Sequence, residues 1–176
     1  VLLVEENLLV ATAYDYSFEN GAADWKDAGW GGVWSMFSAP VNDARAKTGV
    51  NGSQVEMEAN GAMIYAYKPA NIDEAKFTFE AGKSYKLGAW LYITTPIASG
   101  VSDLRFYIDP PFREVVLAFI DENTPTNKWI YVSSDEFSFL AETNGELLLR
   151  GNNQDNSSAL KFTLDDVTVT EVVNKP

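Results

Sequence analysis

The chain has 176 residues, with neither cysteine nor histidine, and a formal net charge of −12. These counts exclude disulfides, thiolate metal sites and catalysis that depends on a histidine base. The negative charge disfavours nucleic acid and anionic membrane surfaces, which leaves neutral ligands and cations as compatible partners. No apolar run approaches about 20 residues, so no membrane insertion is expected.

Turn signals divide the chain into short segments that leave little room for helices. They recur along most of its length, at Asn20-Gly21, Gly31-Gly32, Asn51-Gly52, Asn60-Gly61, Ser99-Gly100, Asp109-Pro110-Pro111 and Asn144-Gly145. Breakers at this spacing are typical of all-β sandwiches and barrels.

The clearest strand is predicted over residues 84–94. Its apolar row contains Tyr85, Leu87, Ala89, Leu91 and Ile93, and the opposite row contains Ser84, Lys86, Gly88, Trp90, Tyr92 and Thr94. Alternation with a period of two indicates an antiparallel sheet with one buried face.

Later segments show the same alternation. Val115, Leu117 and Phe119 are expected to line one face of a strand. In the last strand the apolar parity shifts between Leu164 and Val167. A β-bulge at Asp165-Asp166 would produce that shift.

The whole chain, residues 1–176, is therefore expected to be one domain, with residues 172–176 as a tail. We expect ten to twelve strands in two stacked antiparallel sheets. The absence of a 3.6-residue apolar period, of internal repeats and of a low-complexity linker agrees with this organisation.

A series of short motifs runs along nearly the whole chain. In order they are Asn7-Leu8-Leu9, Phe18-Glu19-Asn20-Gly21, Trp25, the turn and strand over 48–55, Gly82-Lys83-Ser84-Tyr85 leading to Ala89-Trp90, Trp129 to Val132, and Leu164-Asp165-Asp166-Val167-Thr168-Val169. Their order resembles that of carbohydrate-binding modules of families 4, 9 and 22. The resemblance implies an all-β, galactose-binding-like jelly roll that binds a glycan without cleaving it, in a secreted or cell-surface protein of bacterial type.

The resemblance also implies a structural Ca²⁺ that joins the first and last strands. Glu19 matches the glutamate of the Phe-Glu turn, and Asp165 or Asp166 could add a second carboxylate. Backbone carbonyls in residues 48–53 could complete the oxygen shell that calcium prefers. The alternative is that Glu19 closes a turn and the two aspartates are solvated.

Aromatic residues on the polar side of a strand are the candidate sugar contacts, because Trp and Tyr rings stack on the C–H faces of pyranoses. Trp90 and Tyr92 lie opposite the apolar row of their strand, and Tyr107 shares a side with Arg105. If the two strands share a sheet, these four residues form one exposed patch that binds a neutral glycan. Alternatively, a loop covers Trp90 and makes it part of a second small core.

The other tryptophans fall into two groups. Trp30 and Trp34 flank a glycine-rich segment, and they could cap a sugar chain at the rim or, for Trp34, begin a strand that packs inward. Trp25 and Trp129 are expected in the core.

An enzymatic function is not expected. Glycosidases need only two suitably spaced carboxylates, but no strand signature of the jelly-roll glycanases is present. The main alternative to glycan binding is a structural or adhesive module of a surface assembly. In that case the exposed aromatics would be buried against a protein partner, where Tyr and Trp are also enriched.

Overall fold

A computed structural model describes residues 6–20, 24–27, 42–43, 46–49, 51–95, 100–153 and 158–173. Within these residues there are twelve strands and two short 3-10 turns, Leu8–Ala11 and Ile72–Ala75. The strands are β1 (Trp25–Asp27), β2 (Asn42–Asp43), β3 (Gly52–Met57), β4 (Gly61–Tyr67), β5 (Lys76–Phe79), β6 (Ser84–Thr95), β7 (Ser102–Asp109), β8 (Arg113–Ile120), β9 (Trp129–Ser133), β10 (Phe137–Ser138), β11 (Thr143–Asn153) and β12 (Leu160–Val172). The expected number of strands and the scarcity of helix are confirmed.

The strands form two antiparallel sheets of six strands each. The first sheet has the order β1-β4-β11-β7-β8, and β5 pairs with the same edge of β11 as β4 does. The second sheet has the order β10-β6-β12-β3-β2, and β9 pairs with the same edge of β6 as β10 does. The all-β, two-sheet jelly-roll sandwich expected from the sequence is confirmed.

The core lies between the two sheets, as the alternation predicts. All five residues of the apolar row of β6, from Tyr85 to Ile93, are buried. From the first sheet, Tyr65 and Phe106 pack against them in one continuous cluster. Trp25 is also buried, as expected, and its indole N–H donates to the Asp15 carboxylate at 3.3 Å.

Two bulges change which side chains face the core. In β12 the register with β6 shifts between Asp165 and Thr168, and Asp166 has a φ of 48°, so the predicted bulge is confirmed. A second shift lies between β7 and β8 at Leu104 and Arg105. It turns Phe119 outward, where it is 62% exposed, so the expectation that Phe119 shares a face with Val115 and Leu117 is wrong.

Candidate functional site

The four residues predicted to form one patch lie on opposite faces of the sandwich. Trp90 and Tyr92 belong to β6 in the second sheet, whereas Arg105 and Tyr107 belong to β7 in the first. A single patch requires the two strands to share a sheet. They are consecutive in the chain but lie in different sheets, so the four residues do not form one patch. The predicted residues are divided between two separate outer faces.

The first of these, here called the Arg105 face, is the outer side of three neighbouring strands in the first sheet. Its cross-strand rows are set by the register of β11, β7 and β8. The rows are Leu148, Tyr107 and Glu114; then Arg150, Arg105 and Val116; then Asn152, Asp103 and Phe119.

A buried carboxylate organises the charged groups of this face. Asp103 is buried and accepts from Arg105 Nε at 2.9 Å, and Arg150 Nη1 lies 3.9 Å from the same oxygen. Arg105 also donates to Glu114 at 3.4 Å. Two guanidinium groups are thus held side by side with N–H donors that bond oxygen acceptors.

The aromatic part of the Arg105 face differs from the prediction. Tyr107 is only 6% exposed, and it belongs to a small buried cluster with Ile64, Ala66 and Leu148. The ring of Phe112 stands edge-on to Tyr107 at 4.8 Å and is 53% exposed. Burial raises the pKa of the Tyr107 phenol. Tyr107 supports the surface, Phe112 presents an open ring beside it, and Phe119 presents another in the third row.

The opposite surface, here called the Tyr131 face, is the outer side of β9, β6 and β12. Its cross-strand rows are Trp129, Tyr92 and Thr163; then Tyr131, Trp90 and Asp165; then Ser133, Gly88 and Thr168. The first two rows bring four aromatic side chains together.

Trp129 lies on this outer face, so its prediction as a core residue is wrong. Ile130 and Val132 pack against the core, and alternation along β9 therefore turns Trp129 and Tyr131 outward. The rings of Trp129 and Tyr92 are 5.6 Å apart in a T-shaped arrangement.

Trp90 is half-buried beneath its neighbours. Its ring lies 5.3 Å from that of Tyr131, and the Lys47 ammonium lies 4.5 Å from its centroid. This cation–π contact places Lys47 of the 46–49 loop over part of Trp90, as the alternative interpretation of the sequence expects. Trp90 does not, however, belong to a buried core cluster among the described residues. Tyr131, at 42% exposed, is the most open of the four rings.

Asp165 ties the 46–49 loop to the last strand. Its Oδ2 accepts the backbone N–H groups of Lys47 at 2.8 Å and Thr48 at 3.2 Å, and its Oδ1 accepts that of Asp166 at 2.8 Å. Burial, followed by the neighbouring charge of Asp166, raises the pKa of Asp165 to about 6. The two bonds to Lys47 and Thr48 hold the 46–49 loop against β12.

Glu19 and Asp166 approach the same loop from the two ends of the chain. Glu19 accepts the backbone N–H of Asn51 at 3.1 Å, and Asp166 accepts from the Thr48 hydroxyl at 2.7 Å. A Cβ at Gly49, where φ is 64°, would lie 2.5 Å from Cδ of Glu19, so the close approach requires glycine. The charge of Glu19 contributes to raising the pKa of Asp166, although burial is the main cause. No group of three or more acidic side chains placed to hold a metal occurs among the described residues.

The remaining predicted contacts, Trp30 and Trp34, lie outside the described residues. Asp103, Phe112, Trp129, Tyr131 and Arg150 are not among the site residues predicted from the sequence. Gly88 offered a signal for Tyr131, because an isolated glycine within a strand often marks the close approach of another group. Phe112 follows the Pro110-Pro111 turn and carries no periodic signal.

In the part of the chain that the structure describes, no helix has the length and apolar character needed to cross a membrane. No known protein-family model matches the sequence, and no curated protein matches it.

Solved structures with the same fold are numerous, and carbohydrate-binding modules are among them. The CBM22-1 xylan-binding domain from Paenibacillus barcinonensis Xyn10C superposes with a TM-score of 0.52 at 15% identity, over 99% of this chain and 100% of that domain. A family 16 carbohydrate-binding module gives a TM-score of 0.51 at 20% identity, over 90% of this chain and 98% of its own. An arabinose-bound α-L-arabinofuranosidase gives 0.57 at 13% identity over 96% of this chain, which spans 27% of that enzyme.

The chain therefore has the jelly-roll sandwich fold that carbohydrate-binding modules of families 16 and 22 share. The fold expected from the sequence motifs is confirmed.

Proposed function

We propose that this protein binds glycan chains without cleaving them, through the Arg105 face. The observation that carries the proposal is the pair of guanidinium groups held by Asp103 on the same sheet face as the exposed ring of Phe112. The ring offers an apolar surface for the C–H face of a pyranose, and the arginines offer donors to its hydroxyl oxygens. The shared fold with carbohydrate-binding modules supports the same conclusion.

The state of the carboxylates on this face supports binding without catalysis. Asp103 and Glu114 both accept hydrogen bonds from Arg105, and Asp103 is also close to Arg150. A glycosidase needs one carboxyl that donates a proton and a second that acts as nucleophile or base. Both carboxylates here are engaged in positioning arginines.

The cellular location of the protein is proposed from the same shared fold. A module of this kind would operate on polysaccharide outside the cell, in a secreted or cell-surface protein of bacterial type. A neutral glycan suits a chain with a net charge of −12, since an anionic polymer would be repelled over most of the surface.

We also propose that Ca²⁺ binds where the first and last segments meet the 46–49 loop. Glu19 and Asp166 would hold it with oxygen atoms of that loop, and Asp165 would keep the loop in place through its backbone N–H groups. The ion would offset the repulsion between two acidic side chains and stabilise the fold.

Affinity electrophoresis tests glycan binding directly. The protein runs through native gels that contain soluble arabinoxylan, mixed-linkage β-glucan, galactomannan or galactan. We expect retardation in at least one gel, weakened several-fold in Phe112→Ala and Arg105→Ala. Leu140→Ala is the matched control, because Leu140 is fully exposed and lies off the sheet faces.

Two results would contradict the proposal. Retardation that persists unchanged in both variants would exclude the Arg105 face as the site. If no polysaccharide retards the wild-type protein, a protein partner becomes the better hypothesis, and the exposed ring of Phe112 would be its first contact to test.

A further inference from the structure

Tyr131 lies across a neighbouring strand in a position that glycine alone allows. Its Cα is paired with Trp90, yet its hydroxyl reaches past Gly88 and bonds the Thr168 hydroxyl on β12 at 2.8 Å. A Cβ at Gly88 would lie 2.8 Å from Cζ of Tyr131 and 2.7 Å from the Thr168 hydroxyl oxygen. Since β carbons do not approach other atoms this closely, any side chain larger than hydrogen would lift the ring off the sheet.

The ring is therefore held in place before any ligand arrives. Strand pairing fixes the Tyr131 backbone, and the bond to Thr168 fixes its hydroxyl group. The Trp90 ring packs beside it at 5.3 Å. An immobilised ring has little side-chain entropy left to lose on binding, which is the main benefit of preorganisation. Yet Tyr131 remains 42% exposed, so its outer surface is open to solvent.

A second aromatic pair continues the surface along the strands. Trp129 lies two residues before Tyr131 on β9, and Tyr92 lies two residues after Trp90 on β6. Their ring centroids are 5.6 Å apart. Residues two apart on a strand face the same side at a spacing of about 7 Å. The two pairs therefore form one strip parallel to the strands, which suits an extended chain better than a compact ligand.

The partial exposure of these rings argues against a folded protein partner. Stable protein interfaces bury roughly 800 Å² on each side. Three of the four rings on the Tyr131 face are only partly exposed, and Lys47 covers part of Trp90. A narrow strip of partly open rings, edged by the Lys47 ammonium and the Thr168 hydroxyl, matches the alternating C–H and hydroxyl surface of a sugar chain.

We propose that the Tyr131 face is a second glycan-binding surface, with Tyr131 as its preorganised stacking platform. This inference rests on the proposed function, and it adds that one molecule can contact two polysaccharide chains, one on each side of the sandwich. Thr168 and Gly88 act as positioning residues, because they set the ring orientation without offering a stacking surface.

The test uses the full chain in the same polysaccharide gels, with thermal unfolding as a check of folding. Tyr131→Ala is expected to weaken retardation roughly three- to ten-fold, the range that one aromatic contact supports. Gly88→Ala keeps every aromatic residue but displaces the ring, and it is expected to weaken retardation to a similar extent. Tyr131→Phe keeps the ring and loses only the bond to Thr168, so a smaller loss is expected. Ser138→Ala, an exposed position on β10 of the same sheet, is the control.

Combination with the first site separates the two proposals. In the Phe112→Ala, Arg105→Ala double variant, residual retardation that disappears on adding Tyr131→Ala would establish two surfaces. If wild-type retardation is unaffected by Tyr131→Ala and Gly88→Ala, the second surface is refuted and the Arg105 face stands. If the wild-type protein is not retarded by any polysaccharide, both proposals fail together.

Discussion

Asn7 and Val167 are joined by a hydrogen bond between positions 160 residues apart. The Asn7 side-chain amide donates to the carbonyl of Val167 at 3.0 Å, and its Oδ1 accepts the backbone N–H groups of Val169 and Leu9, each at 3.1 Å. Val167 follows the bulge of β12, where the ladder to β6 is interrupted. One side chain therefore satisfies two backbone groups of the last strand and one of the first 3-10 turn.

Asn7→Ala is expected to destabilise the protein by roughly 1–3 kcal/mol, since partly buried backbone groups would lose their partners. Urea unfolding followed by fluorescence measures the change. Asn71→Ala is the control, because Asn71 accepts from the backbone of Asp73 at 3.2 Å in an exposed turn, and a smaller loss is expected there. Equal losses in the two variants would show that the long-range bonds add nothing.

Much of the fold follows from alternation in the sequence. The buried row of β6 and the bulge at Asp165-Asp166 were predicted because one apolar parity dominates each segment. In β9 both parities are apolar, with Trp129 and Tyr131 on one side and Ile130 and Val132 on the other. Periodicity alone could not decide which pair faces the core, and Trp129 was placed there incorrectly.

The candidate site was harder to predict because it depends on which strands share a sheet. The sequence identifies Trp90 and Arg105 as outward residues of consecutive strands, but it does not say whether those strands pair. Neighbouring strands usually pair, which favoured a single patch. In this jelly roll β6 and β7 lie in different sheets, and the outward residues are divided between two faces.

Asp103→Asn is expected to weaken glycan retardation two- to five-fold, less than Arg105→Ala does. The asparagine keeps the size of the side chain but loses the charge that holds Arg105 at 2.9 Å and Arg150 at 3.9 Å. Both guanidinium groups would then lose their fixed positions while keeping their donors. Affinity electrophoresis over a range of polysaccharide concentrations gives the change. An affinity equal to that of the wild type would mean that the arginines need no fixed orientation.

The stability of the protein in EDTA is expected to fall as the pH rises from about 4 to about 6. The pKa of Asp165 is raised to about 6 from an ordinary value of 3.8, so the folded state binds its proton more tightly than the unfolded chain does. Stability is greatest below the ordinary pKa and is lost as the pH passes through the folded value. The difference corresponds to about 2–3 kcal/mol. Asp15 and Asp166, whose pKa values burial also raises, act in the same direction.

Asp165→Asn identifies the contribution of Asp165 to this pH dependence. Thermal unfolding at several pH values is compared for the wild type and the variant. The variant is expected to be less stable overall, because the amide cannot accept all the backbone N–H groups that the carboxylate does. Its unfolding temperature should nevertheless depend less steeply on pH between about 4 and 6. An unchanged slope would assign the pH dependence to other acids.

Calcium at millimolar concentration is expected to raise the unfolding temperature at pH 7 relative to EDTA. An ion present at 100 times its dissociation constant stabilises the folded state by about 2.7 kcal/mol. Glu19→Gln should abolish most of the difference, because it removes one charged ligand and leaves the side-chain volume unchanged. Glu122→Gln is the matched control, because Glu122 lies in an exposed turn between β8 and β9. This variant should respond to calcium as the wild type does. Magnesium should stabilise less, since it dehydrates reluctantly and demands a stricter geometry than a loop of backbone and carboxylate oxygens provides. Equal unfolding temperatures in calcium and EDTA would mean that Glu19 acts only through its hydrogen bond to Asn51.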